Sequence, residues 1–398
     1  MQAIVPRGRW EKLRHVVSRI PVKYLYLFFL LMAVVISLHS SLVAHDENGW
    51  TRYNNFLIFK SSWKHLIAYK DLYLLYPAEY YDLYKYSPSF ALWMGLFAWM
   101  PDVPALISWN VMNVVFFIWA MQVVPVLKER KPPMMLFLAI EMMIALTSSQ
   151  INVMIGGALV LAWHFMENKK VWAATLLVVI TIYIKIFGIV ALSLFLLYPE
   201  RWKAAAYTVL WTLLIGLMPL LVVSWDQMLF LYKSWGRLLG NDYSVSYGVS
   251  VMGWWHTWFN MPINKQAFVL SAAAIFTLPF IRFRYYREPS FRLQILCSIL
   301  LWVVIFNHKG ESPTYILAMM GVAIWYFSQP LKPINTILVV LTLVFTSFSS
   351  TDLITPYWIA RTYIEPFAVK AVFCSVVWLK IILESLLFPP LMREVKIY

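Results

Sequence analysis

The sequence predicts an all-α polytopic membrane protein, with about twelve transmembrane helices and outward-facing helices beside the membrane. Two observations carry that prediction. The 398 residues are 61% hydrophobic and only 13% charged, with a mean hydropathy of +0.68, against roughly 25% charged residues in soluble chains. The apolar residues also fall in runs approaching the roughly 20 needed to span a bilayer as a helix that satisfies its own backbone hydrogen bonds.

The spans are expected near residues 22–44, 103–127, 133–148, 150–166, 170–184, 186–198, 203–225, 266–282, 293–308, 312–328, 334–350 and 367–388. Charge orients them. Arg7, Arg9, Lys12, Arg14, Arg19 and Lys23 put the N-terminus inside. One alternation then also puts inside Lys128 to Lys131, Lys169 with Lys170, Arg201 with Lys203, the cluster Arg282 to Arg292, Lys332, and the tail with Arg393 and Lys396. Both termini are thus expected in the cytoplasm, in a plasma or inner membrane, with 1–398 forming a single integral membrane domain. The net charge of +14 is spent on these loops, so nucleic acid is not an expected partner. The run at 22–44 is too long for a signal-peptide core and reads as the first span. Cys297 and Cys374 lie inside apolar runs and read as neither disulfide halves nor metal ligands.

Two long segments then face outward, 45–102 and 226–265, both rich in Tyr and Trp. In the first, Tyr53, Phe56, Phe59, Trp63, Leu66 and Ile67 recur at helical spacing, which predicts an amphipathic helix lying on the membrane surface. Ser87 to Met100 is apolar enough to enter the membrane. Counting it as a crossing would put Lys128 to Lys131 outside, so it is expected to be a half-helix at the outer surface, ended by Pro101 and Pro104. In the second, Trp235, Trp254, Trp255 and Trp258 suit an interfacial belt or the stacking of sugar rings.

Chemistry is expected on that outer side. Asp46, Glu47, Asp71, Glu79 and Asp82 form its densest carboxylate group. A carboxylate at the bilayer edge suits general base work on a hydroxyl, although the same acids also make an ordinary solvated loop. Lys185, between Ile184 and Ile186, needs an anionic partner or a route to the headgroups, and a lipid phosphate supplies the first. Lys85 lies just before the half-helix. In NHKGESPTY, His308, Lys309 and Glu311 share an outer turn that suits acid–base work, phosphate binding or a plain helix cap, with Ser312 and Pro313 at N-cap and N1. Gln150 and Asn152 in SSQIN can hydrogen-bond sugar hydroxyls or satisfy helix ends. Glu141, inside a span, needs a partner. Motifs of the GxxxxGK, HExxH, CxxC and GxSxG types are absent, which removes the usual supports of ATP-driven transport and zinc proteolysis.

Several of these segments resemble the polytopic glycosyltransferases of the GT-C fold, in particular glycosyltransferase family 87, which includes polyprenyl-phosphate-mannose-dependent alpha-mannosyltransferases. The likeness runs over roughly residues 50–320. It rests on the order of DLY at Asp71 to Tyr73, KYSPSFALWMGLFAWMP from Lys85 to Pro101, SSQIN at Ser148 to Asn152, YIKIFG at Tyr183 to Gly188 with YPERWK after it, and ESPTY at Glu311 to Tyr315. The resemblance implies a metal-independent, inverting transfer of a mannose-like hexose from a polyprenyl-phosphate donor to the hydroxyl of a glycan or glycolipid acceptor, on the outer membrane face, with no cofactor. It also implies that Lys185 belongs to the lipid-phosphate site and that Lys85 stands where related folds put a phosphate-binding cation. At the position of the family's base aspartate, about eighteen residues before Tyr73, this chain has Asn55, and an amide is no base. Asp46 or Glu47 then takes that role, or Glu311 with His308 does, or the activity differs from the family's. Two rival classes are a lipid-linked sugar flippase or secondary transporter, and a catalytically silent scaffold. Transporters typically show repeated halves and Gly-interrupted spans, whereas this chain has 13 Gly and gathers its polar groups at one face.

Overall fold

The computed structural model describes residues 16–43, 51–186, 188–242, 247–351 and 354–389. Within them the chain is helical and has no strand. The principal helices are α1 Val22–Leu42, α2 Asn54–Ile67, α3 Pro88–Trp93 with a further turn over Gly95–Ala98, α4 Asp102–Val123, α5 Lys131–Phe137, α6 Ala139–Thr147, α7 Asn152–Glu167 and α8 Val171–Ile184. They continue as α9 Arg201–Leu217, α10 Trp225–Asp242, α11 Val251–Phe259, α12 Lys265–Thr277, α13 Pro289–Ile305, α14 Tyr315–Phe327, α15 Pro333–Thr342 and α16 Lys370–Leu387.

Each expected span coincides with helical chain, and four stretches are long and apolar enough to cross a membrane by length and composition: Val22–Leu42, Asp102–Val123, Arg201–Leu221 and Pro333–Ser350. Leu210, Leu213 and Leu214 on α9 are exposed to the surroundings, an arrangement that lipid rather than water stabilises. The shorter helices instead bury themselves in protein. α13 and α14 are almost wholly buried and pack on each other, on α7 and, for α13, on α16.

Close approach at this centre rests on small residues. A Cβ at Gly156 would stand 2.8 Å from Met320 Sδ, and one at Gly157 would stand 2.9 Å from the Phe116 carbonyl, so α7 lies against α14 and α4 only because both positions are glycine. Cys297 and Cys374 are buried free thiols.

The bundle has two chemically different ends. At one, Arg130 donates to the Gln329 carbonyl (2.7 Å), and Arg282 donates to those of Leu386 (2.9 Å) and Phe388 (2.8 Å), covering the C-terminal carbonyls of α14 and α16. This is the basic end. The other end carries Gln150, Asn152, Lys185 and Glu311, about 24 Å away along the 16 residues of α7.

Two expectations about the outer segments change. α2 does have the expected aromatic face, but it lies on protein: Phe56 and Phe59 are fully buried, and Phe59 packs edge-on against Tyr86 and Phe90. Its polar side is docked as well, with Lys60 paired to Asp102 at 2.7 Å and His65 to Glu79 at 3.1 Å. Helical aromatic spacing marks a face that avoids water and is silent on whether lipid or protein covers it. The half-helix starts at Pro88 as expected, N-capped by Ser87, but its first turn is wedged into the bundle. Ser87 N–H donates to the Tyr183 carbonyl, and Ser89 donates to that of Ile215 (2.7 Å), so the turn lies between α8 and α9 while Trp99 beyond it is exposed.

Candidate active site at one end of the bundle

Three tight segments meet at the end opposite the arginines. SSQIN turns between α6 and α7, with Ser149 at a positive φ of 51°. Its carbonyls are taken by neighbours: Trp109 Nε1 donates to that of Ser149 and Asn55 Nδ2 to that of Ser148, each at 2.9 Å. Asn55 thus ties α2 to this turn with a donor that an aspartate lacks.

From this turn a hydrogen-bond chain runs across the site. Lys185, at the C-terminus of α8, donates to Asn152 Oδ1 (3.0 Å) and Gln150 Oε1 (3.4 Å). Asn152 Nδ2 donates to Gln150 Oε1 (2.6 Å) and to the Pro313 carbonyl (3.1 Å), and Gln150 Nε2 donates to Glu311 Oε2 (2.6 Å). Both amides turn oxygen toward the ammonium, and Gln150 turns nitrogen toward the carboxylate. Flipping Gln150 would set its NH₂ against the ammonium and its oxygen against the carboxylate, so the two charges fix the amide orientation. Gln150 and Asn152 are buried, Lys185 is half-buried, and Glu311 is exposed.

Other residues crowd the cation. The Tyr86 ring lies 5.9 Å from Lys185 Nζ, and both Glu311 and Lys85 are close enough to act on that ammonium through space. Burial, with Glu311 and Asp82 nearby, pushes the Tyr86 phenol above its ordinary pKa, so it stays neutral. Lys85 itself pairs with Asp82 at 3.1 Å, and its carbonyl accepts from Trp235 Nε1 (3.2 Å).

Glu311 also lines a cavity of about 460 Å³ shared with Tyr247, His256, Thr257 and Glu365. Its wall is set by a backbone contact: Val249 N–H donates to the Gly310 carbonyl (2.7 Å), and Gly248 holds a positive φ of 57° where a Cβ would meet Gly310 N at 2.7 Å. Behind Glu311, Lys370 of α16 donates to Ser312 Oγ (2.9 Å), Ser350 Oγ (3.1 Å) and the fully buried Glu141 (3.0 Å). Glu141 thereby has its partner, which Lys370, a cation in an otherwise apolar run, signals in the sequence.

The structure brings together Gln150, Asn152, Lys185 and Glu311, with Lys85 and Asn55 at the margins. His308 is half-buried in the adjoining turn with its carbonyl beside Gly248, and it does not line the cavity. Asp46 and Glu47 lie outside the described residues. The other acids of the first outer loop have local partners: Glu79 and Asp82 as above, and Asp71 through Ser234 Oγ at 2.7 Å. Lone residues such as His256 and Glu365 carry no sequence pattern, so only the fold singles them out.

Such an arrangement joins an ammonium and a carboxylate through amides at one end of a helical membrane bundle. The model of glycosyltransferase family 87 matches residues 84–306, more than half of the chain, and the protein belongs to that family. It is therefore a glycosyltransferase, with a sugar donor and an acceptor as substrates. No curated protein matches the sequence.

Proposed function

We propose that the protein transfers a mannose-like hexose from a polyprenyl-phosphate donor to an acceptor hydroxyl on the outer face of the cytoplasmic membrane, as a polytopic enzyme of about twelve spans with both termini inside. The observation that carries this reading is that Lys185 and Glu311, from distant parts of the chain, stand one glutamine side chain apart at a single bundle end.

In the proposed reaction the donor phosphate sits on Lys185, with Lys85 beside it, and Asn152 and Gln150 meet the phosphate oxygens and sugar hydroxyls. Glu311 takes the proton from the acceptor hydroxyl, whose oxygen forms a bond to the anomeric carbon. The bond from that carbon to the phosphate oxygen breaks, and polyprenyl phosphate leaves with the electron pair. Cations fixed where that charge grows accelerate the departure, by about 10²–10³-fold for one well-placed donor. His308 is a neighbour of the base rather than the base, and Asn55 holds the SSQIN turn.

The test is incubation of purified protein in lipid nanodiscs with polyprenyl-phosphate hexoses, following donor loss and polyprenyl phosphate release. Asp46, Glu47 and Glu311 are changed to the amides one at a time. Loss of turnover in Glu311→Gln alone is the expected pattern. Full turnover in Glu311→Gln, with loss in Asp46→Asn or Glu47→Gln, moves the base to the first outer loop.

A further inference from the structure

The cavity beside Glu311 has walls from three stretches of chain that the sequence does not connect. Tyr247, His256 and Thr257 come from the second outer segment, Glu311 and Ser312 from the turn before α14, and Glu365 from the segment before α16. Its polar lining is rich in acceptors. Glu311 and Glu365 are carboxylates. His256 Nδ1 lies 2.9 Å from the Met261 carbonyl, which only accepts, so Nδ1 is the donor of that contact. Thr257 spends its proton on the Gly253 carbonyl (2.8 Å), and its oxygen still accepts.

Such a lining calls for a ligand dense in neutral donors. Among the described residues no Lys or Arg lines the cavity to meet an anion, and Arg361 beside it faces Glu365 at 3.7 Å. Among the described residues no group of three His, Cys, Asp or Glu side chains is placed to hold a metal ion. An organic cation would seek the one aromatic face of the lining, but the Lys265 ammonium already lies 5.1 Å from the Tyr247 ring centre. Hydroxyls meet every requirement, and a cavity of about 460 Å³ is of the size that holds a small ligand.

We propose that this cavity is the acceptor subsite, binding the hydroxylated sugar end of the acceptor through Glu365, His256 and Thr257, and presenting one hydroxyl to Glu311. This rests on the transfer reading above for its purpose, but its binding chemistry stands apart from turnover. Glu311 is the hinge of the arrangement, since it accepts from Gln150 on the donor side and lines the cavity on the other.

Binding is tested without catalysis by labelling. Pro366 lines the cavity and is exposed, whereas Cys297 and Cys374 are buried, so a maleimide reports on the cavity mouth in a Pro366→Cys variant. Methyl and octyl α-mannoside and β-glucoside are the probes, with octanol as the apolar control. At ten times its Kd a bound hexoside leaves about a tenth of the sites open, so labelling slows about tenfold. Adding Glu365→Gln weakens that protection by roughly tenfold in hexoside concentration. A labelling rate indifferent to all four hexosides, or slowed equally by octanol, overturns the subsite. Protection by hexosides in a protein that never consumes a polyprenyl-phosphate donor upholds the subsite and overturns the transfer reading instead.

Discussion

An acid–base pair stands near each end of helix α7, and the two pairs are built on opposite plans. At the basic end Glu167 accepts from Arg292 Nε and Nη2, both at 2.6 Å, and from the Tyr198 hydroxyl at 2.7 Å. Arg292 Nη1 donates to the Tyr286 carbonyl (2.6 Å), and the Tyr198 ring lies 4.6 Å from the guanidinium. Both side chains are under 10% exposed. At the opposite end Lys185 and Glu311 are held apart by Gln150, and the carboxylate faces a cavity. A bidentate pair satisfies its own charges and closes the site to ligands. A pair spaced by amides keeps both charges oriented while leaving room for a substrate between them and the surroundings. The first plan holds helices together; the second suits chemistry.

Substitution at the two ends should separate these roles most sharply. Glu311→Gln and Lys185→Gln are each expected to lower donor turnover by about 10²–10³-fold while melting as wild type does, because each removes charge from the proposed reacting groups rather than from a packed pair. Glu167→Gln is expected to do the reverse, costing about 3–5 kcal/mol by leaving Arg292 buried without its counter-charge, with near-normal turnover per folded molecule. Thermal melts and donor-loss rates on the same nanodisc samples decide it. An inactive but fully stable Glu167→Gln would erase the distinction.

Lys370 and Glu141 share features of both plans, since their buried pair also reaches Ser312, the neighbour of Glu311. Either Lys370→Met or Glu141→Leu alone is expected to cost about 3–5 kcal/mol, and the double variant to recover most of it, because removing both charges leaves none uncompensated. Turnover should stay about tenfold down in the stable double variant, since a base displaced by an ångström loses up to about 10²-fold. Recovery of stability and rate together would make the pair purely structural.

Much of the fold was readable in the sequence because hydrophobic runs and basic clusters are local signals. The helices stand close to the expected spans, and Arg130, Arg282 and Arg292 gather at one bundle end. Gln150, Asn152, Lys185 and Glu311 were visible because polar residues stand out against apolar chain. The partner of each was not, since Lys185 meets Gln150 and Glu141 meets Lys370 across long stretches of sequence, and helical spacing says nothing of contacts so remote. The covering of α2 was misread for a related reason, as Phe56 and Phe59 shun water equally well against lipid or against Trp109. His256 and Glu365 stood in exposed segments where charged and polar residues are ordinary, and only the cavity distinguishes them.

The mildest substitution probes the boundary between strut and catalyst. Asn55 occupies the position where the family resemblance implies a base, yet its Nδ2 donates to the Ser148 carbonyl at the head of the SSQIN turn. In Asn55→Asp that donor is replaced by a carboxylate oxygen facing a carbonyl oxygen, a loss expected to cost about 1–3 kcal/mol. Because the turn carries Gln150 and Asn152, donor affinity should weaken along with stability, and Asn55→Ala should show the smaller of the two effects since it removes the bond without adding repulsion. Melting temperature and donor KM measured for both variants give the comparison. A turnover number that rises in Asn55→Asp would mean that a carboxylate at this position reaches the acceptor hydroxyl, and Glu311 would then be an orienting residue instead of the base.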